Sequence, residues 1–300
     1  MKQPLINITR RHALMFAVFL VLYEFLTYIA NDMIMPGMIK VVESFHGKES
    51  DIALSLTLYL LGGASLQLFL GPLSDRFGRR PVMLTGVVLF LICTIGIAVS
   101  NSMEQFLVGR FFQGMGLCFI SVIGYATLQE IFSEMEAVRL ISVMANVSTI
   151  APLIGPLLGA IIVSHYSWRF IFVLIGIFTL IAFWGIKRYM PEPVGAYKKD
   201  GQQIHIASIS PMVIAKNYWA LLKNAVFMVG SIAQGVMYIP CLAWLGLAWL
   251  GLAWIGLDWL GLDCTGTRYL DQRSTLVIYW LWLMADSSIW CIYDRQYDIT

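Results

Sequence analysis

Charge is scarce in this chain. Only 13% of its 300 residues are Asp, Glu, Lys or Arg, while 59% are apolar. A soluble domain carries about a quarter charged residues, so this chain cannot cover a water-facing surface in the usual way. The formal net charge is +2, too small for a nucleic-acid footprint. Cysteine is sparse too. The five, Cys93, Cys118, Cys241, Cys264 and Cys291, show no metal-ligand spacing. Two of them fall inside apolar runs, where a small core residue is all that is needed. There is no phosphate-cradling loop and no nucleophile–base pair, so neither an enzyme nor a cofactor is expected. The N-terminus, MKQPLINITRRHALMFAVFLVLYEF, is basic and then apolar, but it lacks a small-residue cleavage site. Its apolar run is also too long for a signal peptide, so it is read as a retained first helix. What these absences leave is an all-α polytopic membrane protein.

Apolar runs of membrane-spanning length recur at roughly 12–34, 51–71, 81–100, 105–128, 138–163 and 168–187. Arg10, Arg11, Arg76, Arg79, Arg80, Arg139, Lys187, Arg188, Lys198 and Lys199 fall in alternate connections. The other connections hold little more than Lys40, Lys48 and Arg169. The positive-inside rule therefore places the N-terminus and the linker after the sixth run in the cytoplasm. The expected organisation is a six-helix bundle over 1–190, a polar linker over 191–220 and the start of a seventh helix over 221–245. A repetitive and aberrant tail then occupies 246–300.

Within the first run, LVLYEFLTYIANDMIMPG carries two carboxylates. An ionised group at the centre of a membrane helix costs about 2.5–3.5 kcal/mol on insertion scales, so it usually marks a pathway. Helical geometry puts Glu24 and Asp32 about 80° apart around the axis and about 12 Å apart along it. Tyr28 and Asn31 fall on the same side. Asp32 lies near the outer end, where a snorkelling helix terminus would explain it equally well; Glu24 is in mid-span.

Three further stretches stand out. GPLSDRFGRRP packs a Gly-Pro, an acid and three arginines into one short connection, with Asp75 expected just past the second helix. Such a cluster can latch helix ends through charge-assisted hydrogen bonds made in one conformation and broken in another, or it can be ordinary positive-inside charge. Arg110, in GRFFQGMG, needs an acceptor, for which Glu24 or Asp32 would serve, unless it snorkels to the interface. APLIGPLLGA carries Gly155 and Gly159 at a spacing that permits close helix contact, with Pro156 expected to bend the helix. Met144, two to three turns earlier, suits either an adaptable apolar pocket or the core.

These residues resemble the major facilitator superfamily, and more narrowly its drug/proton antiporters, over about residues 12–245. Gly71, Asp75, Arg76, Gly78, Arg79 and Arg80 resemble its loop 2–3 signature. Arg110-Phe-Phe-Gln-Gly resembles its helix 4 motif, and Gly155-Pro156 with Gly159 resembles the helix 5 motif of its antiporters. The resemblance implies a proton-coupled exporter of the bacterial inner membrane, usually monomeric. Its substrates would be lipophilic cationic and neutral compounds, chloramphenicol among them. It also implies that Glu24 and Asp32 alternate between proton and drug, coupled to Arg110. Tyr28, Asn31 and Met144 would line the cavity, and Asp75 with the loop arginines would form the conformational latch. Burial favours the protonated form of a carboxyl group and a nearby cation favours the ionised form, which is the physical basis of such an exchange.

The chain departs from that pattern after Cys241. It reads LAWLG LAWLG LAWIG LDWLG LD. A period of five matches neither a helix nor a strand, and each of Gly246, Gly251, Gly256 and Gly261 would cost about 1 kcal/mol inside a helix. The pentanucleotide TTGGC, repeated, encodes this same cyclic pentapeptide in every frame. Codons permitted for Leu281 to Thr300, read one base later, can give YGLWQIPVFGAFMIGNMIL, which resembles the family's continuation into its eighth helix. Most positions of that reading are free, but its Trp and its first Phe-Gly glycine are forced. The expectation is a repeat-driven frameshift, for which slippage in the gene and a sequencing error in the repeat are equally compatible origins, with a non-transporting remnant as the alternative to a working carrier.

Overall fold

The computed structural model describes residues 8–194, and beyond them only 219, 222–225, 228, 229 and 232. The chain divides into two units, Met1–Tyr218 and Trp219–Thr300. In the second, the described residues are helical apart from Asn224, whose carbonyl accepts from the amide of Met228 at 3.0 Å. The linker beyond Val194, most of the run after Leu221, and the whole repeat and tail lie outside the described residues.

The first unit is helical, with no strand among the described residues. Helix α1 (Arg10–Asp32) passes through a single 3-10 turn, Met35–Gly37, into α2 (Met38–Phe45). Helices α3 (Ser50–Ser65) and α4 (Gln67–Phe77) form one run bent by 41° at Leu66. Next come α5 (Arg79–Ala98), α6 (Met103–Gly114) and the short α7 (Gly116–Cys118). A π-helical turn, Phe119–Gly124, leads into α8 (Tyr125–Ile131). Two long helices finish the unit, α9 (Glu134–His165) and α10 (Arg169–Tyr189). Five of these runs are long and apolar enough to cross a membrane, and six if the bent pair α3–α4 counts as one. The six expected spans are therefore present, and the protein is a multi-pass membrane protein.

Two expectations need correction. Gly71-Pro72 was expected in a turn, yet it lies inside α4, and Asp75 is still helical. The reason is local. The kink at Leu66 restarts the helix, so Pro72 falls in its second turn and gives up one hydrogen bond there. The connection between α4 and α5 shrinks to Gly78 alone, at φ +98°, a conformation that a side chain resists. The other correction concerns helix 4, expected as one α-helical run. The π-helical turn widens its middle and re-aims Tyr125 relative to Arg110. The α9 helix runs unbroken through both Pro152 and Pro156.

Packing follows the apolar faces. Helix α1 sits against α9 and α10, α5 lies between α10 and α6, and α3 lies along α6. The core contains Phe16, Leu20, Tyr23, Phe90, Phe106 and Phe172, all fully buried. On the outside, Leu153, Leu157 and Ile161 of α9 and Ile177, Leu180 and Trp184 of α10 remain exposed, as helices apolar all round do in lipid. Two of the sparse cations in the other connections, Lys40 and Arg169, have structural posts. Lys40 donates to the carbonyl of Val163 at 2.7 Å, near the end of α9. Arg169 donates to the carbonyls of Ala98 and Ser100 at 2.9 and 2.8 Å, at the end of α5. Cations at helix C-termini satisfy orphan carbonyls and complement the dipole.

Candidate functional site

Helix α1 presents both acids, and they meet different surroundings. Glu24 is only 1% exposed. Its Oε1 accepts from the hydroxyl of Tyr125 at 2.8 Å, and its Oε2 has no hydrogen-bond partner. Asp32, half-buried, accepts from Nδ2 of Asn31 at 3.1 Å. Tyr28 is half-buried on the helix between them.

Arg110 is fully buried, so it does not snorkel. Nor does it pair directly with Glu24 or Asp32, as the sequence suggested. Its Nη2 donates to Oδ1 of Asn31 at 2.9 Å, and its Nη1 donates to the carbonyl of Ala30 at 3.1 Å and to Oε1 of Gln113 at 2.8 Å. Asn31 is the relay, accepting from the arginine through its oxygen and donating to Asp32 through its nitrogen. The reason is register: Asn31 faces Arg110, and Asp32, one residue on, is turned about 100° away. Gln113 passes the chain on, donating to Oγ1 of Thr94 at 2.8 Å.

The glycines of α9 seat the end of α1. A side chain at Gly155 would press on Cβ of Asp32 at 3.0 Å, and one at Gly159 would overlap the carbonyl of Met33. The small-residue pair thus fixes where Asp32 stands. Pro156 lies between them on α9. Met144, for which a cavity wall and the core were both open, is fully buried in the hydrophobic core.

At the other end of the unit the loop cluster divides. Arg79 is 8% exposed. It meets Asp75 at 2.6 Å and grips Glu130 through two nitrogens, at 2.8 and 3.3 Å. Ser74 accepts a further bond from it and donates to the carbonyl of Gly71 at 2.9 Å. Arg76 is exposed, 5.8 Å from the ring centre of Phe77. Arg80 donates to the carbonyl of Lys187 at 2.7 Å. Glu192, just past α10, accepts from the backbone N–H groups of both Arg79 and Arg80 at 2.9 Å, so it caps α5 across Gly78. Glu192→Gln is expected to cost about 1 kcal/mol, the usual worth of such a cap, read as a lower thermal midpoint of the purified protein in micelles. An unchanged midpoint would remove Glu192 from the cap.

Sequence reasoning missed Tyr59, Thr94, Tyr125, Glu130 and Glu192. Gln113 was quoted in its motif without a role, although its place three residues after Arg110 puts it on the same helix face. The contact of Glu130 with Arg79 spans 51 residues and had no local signal. Among the described residues, no three His, Cys, Asp or Glu side chains are grouped to hold a metal ion.

Comparison with known proteins agrees with this architecture. The sequence profile of the Major Facilitator Superfamily matches residues 20–267. The chain is 46% identical over 235 residues to "Multidrug transporter MdfA" of Edwardsiella ictaluri, covering 78% of this chain and 55% of that protein. The figures are 46%, 78% and 56% for the protein of that name from Yersinia pestis (strain Angola), and 45%, 78% and 55% for the one from Escherichia coli O6:H1. The chain thus spans about half the length of the curated relatives it matches. Two solved structures share the fold. One is the human organic anion transporter MFSD10 (TM-score 0.51, 20% identity, 66% of this chain and 52% of that one). The other is a bacterial homologue of the human lysosomal transporter Spinster (TM-score 0.52, 15% identity, 68% of this chain and 47% of that one). With the profile spanning most of its length, this chain belongs to the major facilitator superfamily of membrane transporters.

Proposed function

We propose that the chain carries the proton- and substrate-handling half of a multidrug/proton antiporter in the bacterial inner membrane, with its N-terminus in the cytoplasm. Glu24 carries this reading: a mid-span carboxylate, 1% exposed, with one oxygen held by a phenol and the other unpaired. A buried acid of this kind does nothing for packing, and an unpaired oxygen is a place for a proton or a cation. In the cycle we propose, the protonated site exchanges its proton for drug on the cytoplasmic side. The loaded carrier then rocks outward, releases the drug and takes up a proton. Asp75, Arg79 and Glu130 close the latch in one of the two states. The multidrug names of the relatives support a broad substrate range; in this reading the range covers lipophilic cations and neutral compounds, chloramphenicol among them. Protons are the coupling ion, the working unit is a monomer, and no cofactor or nucleic acid takes part.

The test uses a version carrying both six-helix halves, in inverted membrane vesicles. Glu24→Gln removes the counter-charge and keeps the shape. Accumulation of a lipophilic cation should fall about tenfold or more, as expected for losing a charged partner in a dry site. Chloramphenicol accumulation should fall far less. Equal loss for both classes would reject the assignment.

A second reading is favoured by the five-residue period after Cys241. The 300-residue chain would then be a non-transporting product of a gene whose frame slips at a pentanucleotide repeat. Vesicles containing this exact chain, with no drug accumulation where the two-half version accumulates it, would support that reading.

A further inference from the structure

Arg110 lacks a carboxylate of its own. It heads the fully buried side chains by volume, yet its three hydrogen-bond acceptors are a peptide carbonyl and two side-chain amides, all neutral. Its Nε has no hydrogen-bond partner. A cation so deeply buried normally needs stronger compensation. That compensation lies over its face: the guanidinium carbon stands 4.4 Å from the ring centre of Tyr59. The ring is held in place by its surroundings. It is 1% exposed, and its hydroxyl donates to the carbonyl of Thr27 on α1. The backbone carbonyl of Tyr59 lies against Gly114 where no Cβ would fit, and Gly62 meets the carbonyl of Phe111 in the same way. These two contacts draw α3 and α6 together in the turn that follows Arg110.

We propose that Tyr59 is a positioning residue for the proton- and drug-coupling machinery. Its ring face holds the plane of the guanidinium where another protein would use a carboxylate. A bidentate carboxylate would grip Arg110 strongly and occupy its own oxygens. An aromatic face stabilises the same charge and uses no oxygen at all. Asp32 is thereby left one relay away, through Asn31, and free to exchange its ligand. The anchor also reaches the backbone that carries the other acid. The residue whose carbonyl receives the Tyr59 hydroxyl, Thr27, donates through Oγ1 to the carbonyl of Glu24 at 2.8 Å. The significance for coupling rests on the function proposed above, whereas the contact itself does not.

The 300-residue chain, labelled with 15N-arginine and purified in micelles, gives a direct readout. A ring face over the guanidinium shields the Nε–H proton and moves its resonance upfield. The Arg110 signal is identified by its loss in Arg110→Lys. The expected result is an upfield Nε–H in the parent that persists in Tyr59→Phe, which keeps the ring and loses the hydroxyl. In Tyr59→Leu the signal returns to the ordinary range, and its hydrogen exchange quickens by roughly twofold to thirtyfold, the span that cation–π strengths allow. Tyr59→Trp, which keeps an aromatic face should the leucine variant fail to assemble, is expected to deepen the shift. An unchanged signal in Tyr59→Leu overturns the proposal. So does an ordinary shift in Tyr59→Trp, or a loss in Tyr59→Phe as complete as in Tyr59→Leu. None of these readings uses transport. Their failure leaves the antiport reading standing, and failure of the Glu24→Gln test leaves the contact standing.

Discussion

Alanine at Gly159 is expected to unseat α1 from α9. The added methyl would occupy the space of the Met33 carbonyl oxygen, a backbone atom that cannot swing aside. The helices must then separate, and Asp32, set against Gly155 one turn earlier, loses its seat. Overpacking costs about 1–3 kcal/mol and occasionally more, and a rigid backbone neighbour places this substitution at the top of that range. The thermal midpoint of the purified chain in micelles should drop by many degrees. Drug accumulation by a two-half version should fall to background. Two controls share the chemistry and lack the contact. Gly96 in α5 and Gly176 in α10 have nothing within 4 Å of an added Cβ. Alanine there should be neutral or should stabilise by up to about 1 kcal/mol, the ordinary gain of alanine over glycine in a helix. A parent-like midpoint for Gly159→Ala would show that α1 and α9 do not meet as described.

The other large effect concerns DNA. Resequencing the locus from several colonies is expected to show clones that differ by whole TTGGC units after Cys241, with export confined to one repeat class in three. One added unit shifts the downstream frame by two bases and restores the reading that runs through Leu281–Thr300. The imperfections in the run fit the same origin. Ile255 needs one base change from the Leu codon CTT to ATT, and Asp258 needs one from the Ala codon GCT to GAT. Cys264 is likewise one base from the Trp codon of the repeat. Protein-level selection for a packed helix would instead have drifted toward a period of 3.6 residues. A non-repetitive stretch of DNA at this point, or an identical repeat number in every colony with no long open frame in the shifted register, would sink the idea.

The spans were legible because hydrophobic length and alternating arginines are one-dimensional signals. All six apolar runs read from the sequence recur among the described helices, and Glu24 was marked by being an acid in mid-span. What stayed hidden depends on which residues face each other across the bundle. Nothing local pairs Arg79 with Glu130, or sets the ring of Tyr59 over Arg110. The expected Arg110–carboxylate pair failed through register alone, since Asn31 and Asp32 adjoin in sequence and diverge by a third of a turn. Gly71-Pro72 misled differently. As a dipeptide it signals a turn, but the break at Leu66 had already started a new helix, in which Pro72 costs one backbone hydrogen bond without ending it.

The carboxylate of Glu192 decides where force enters this bundle. Without it, tension on the polypeptide leaving α10 would act on that helix's last turn. With it, two charge-assisted hydrogen bonds hand the pull to the first turn of α5, and Pro193, buried beside Glu192, shortens the free lever. A tug from whatever follows Val194 is therefore felt first at Gly78, the single-residue pivot between α4 and α5, within reach of the Asp75–Arg79 ion pair. Torque on the chain's exit and the state of that ion pair become two readings of one mechanical strain.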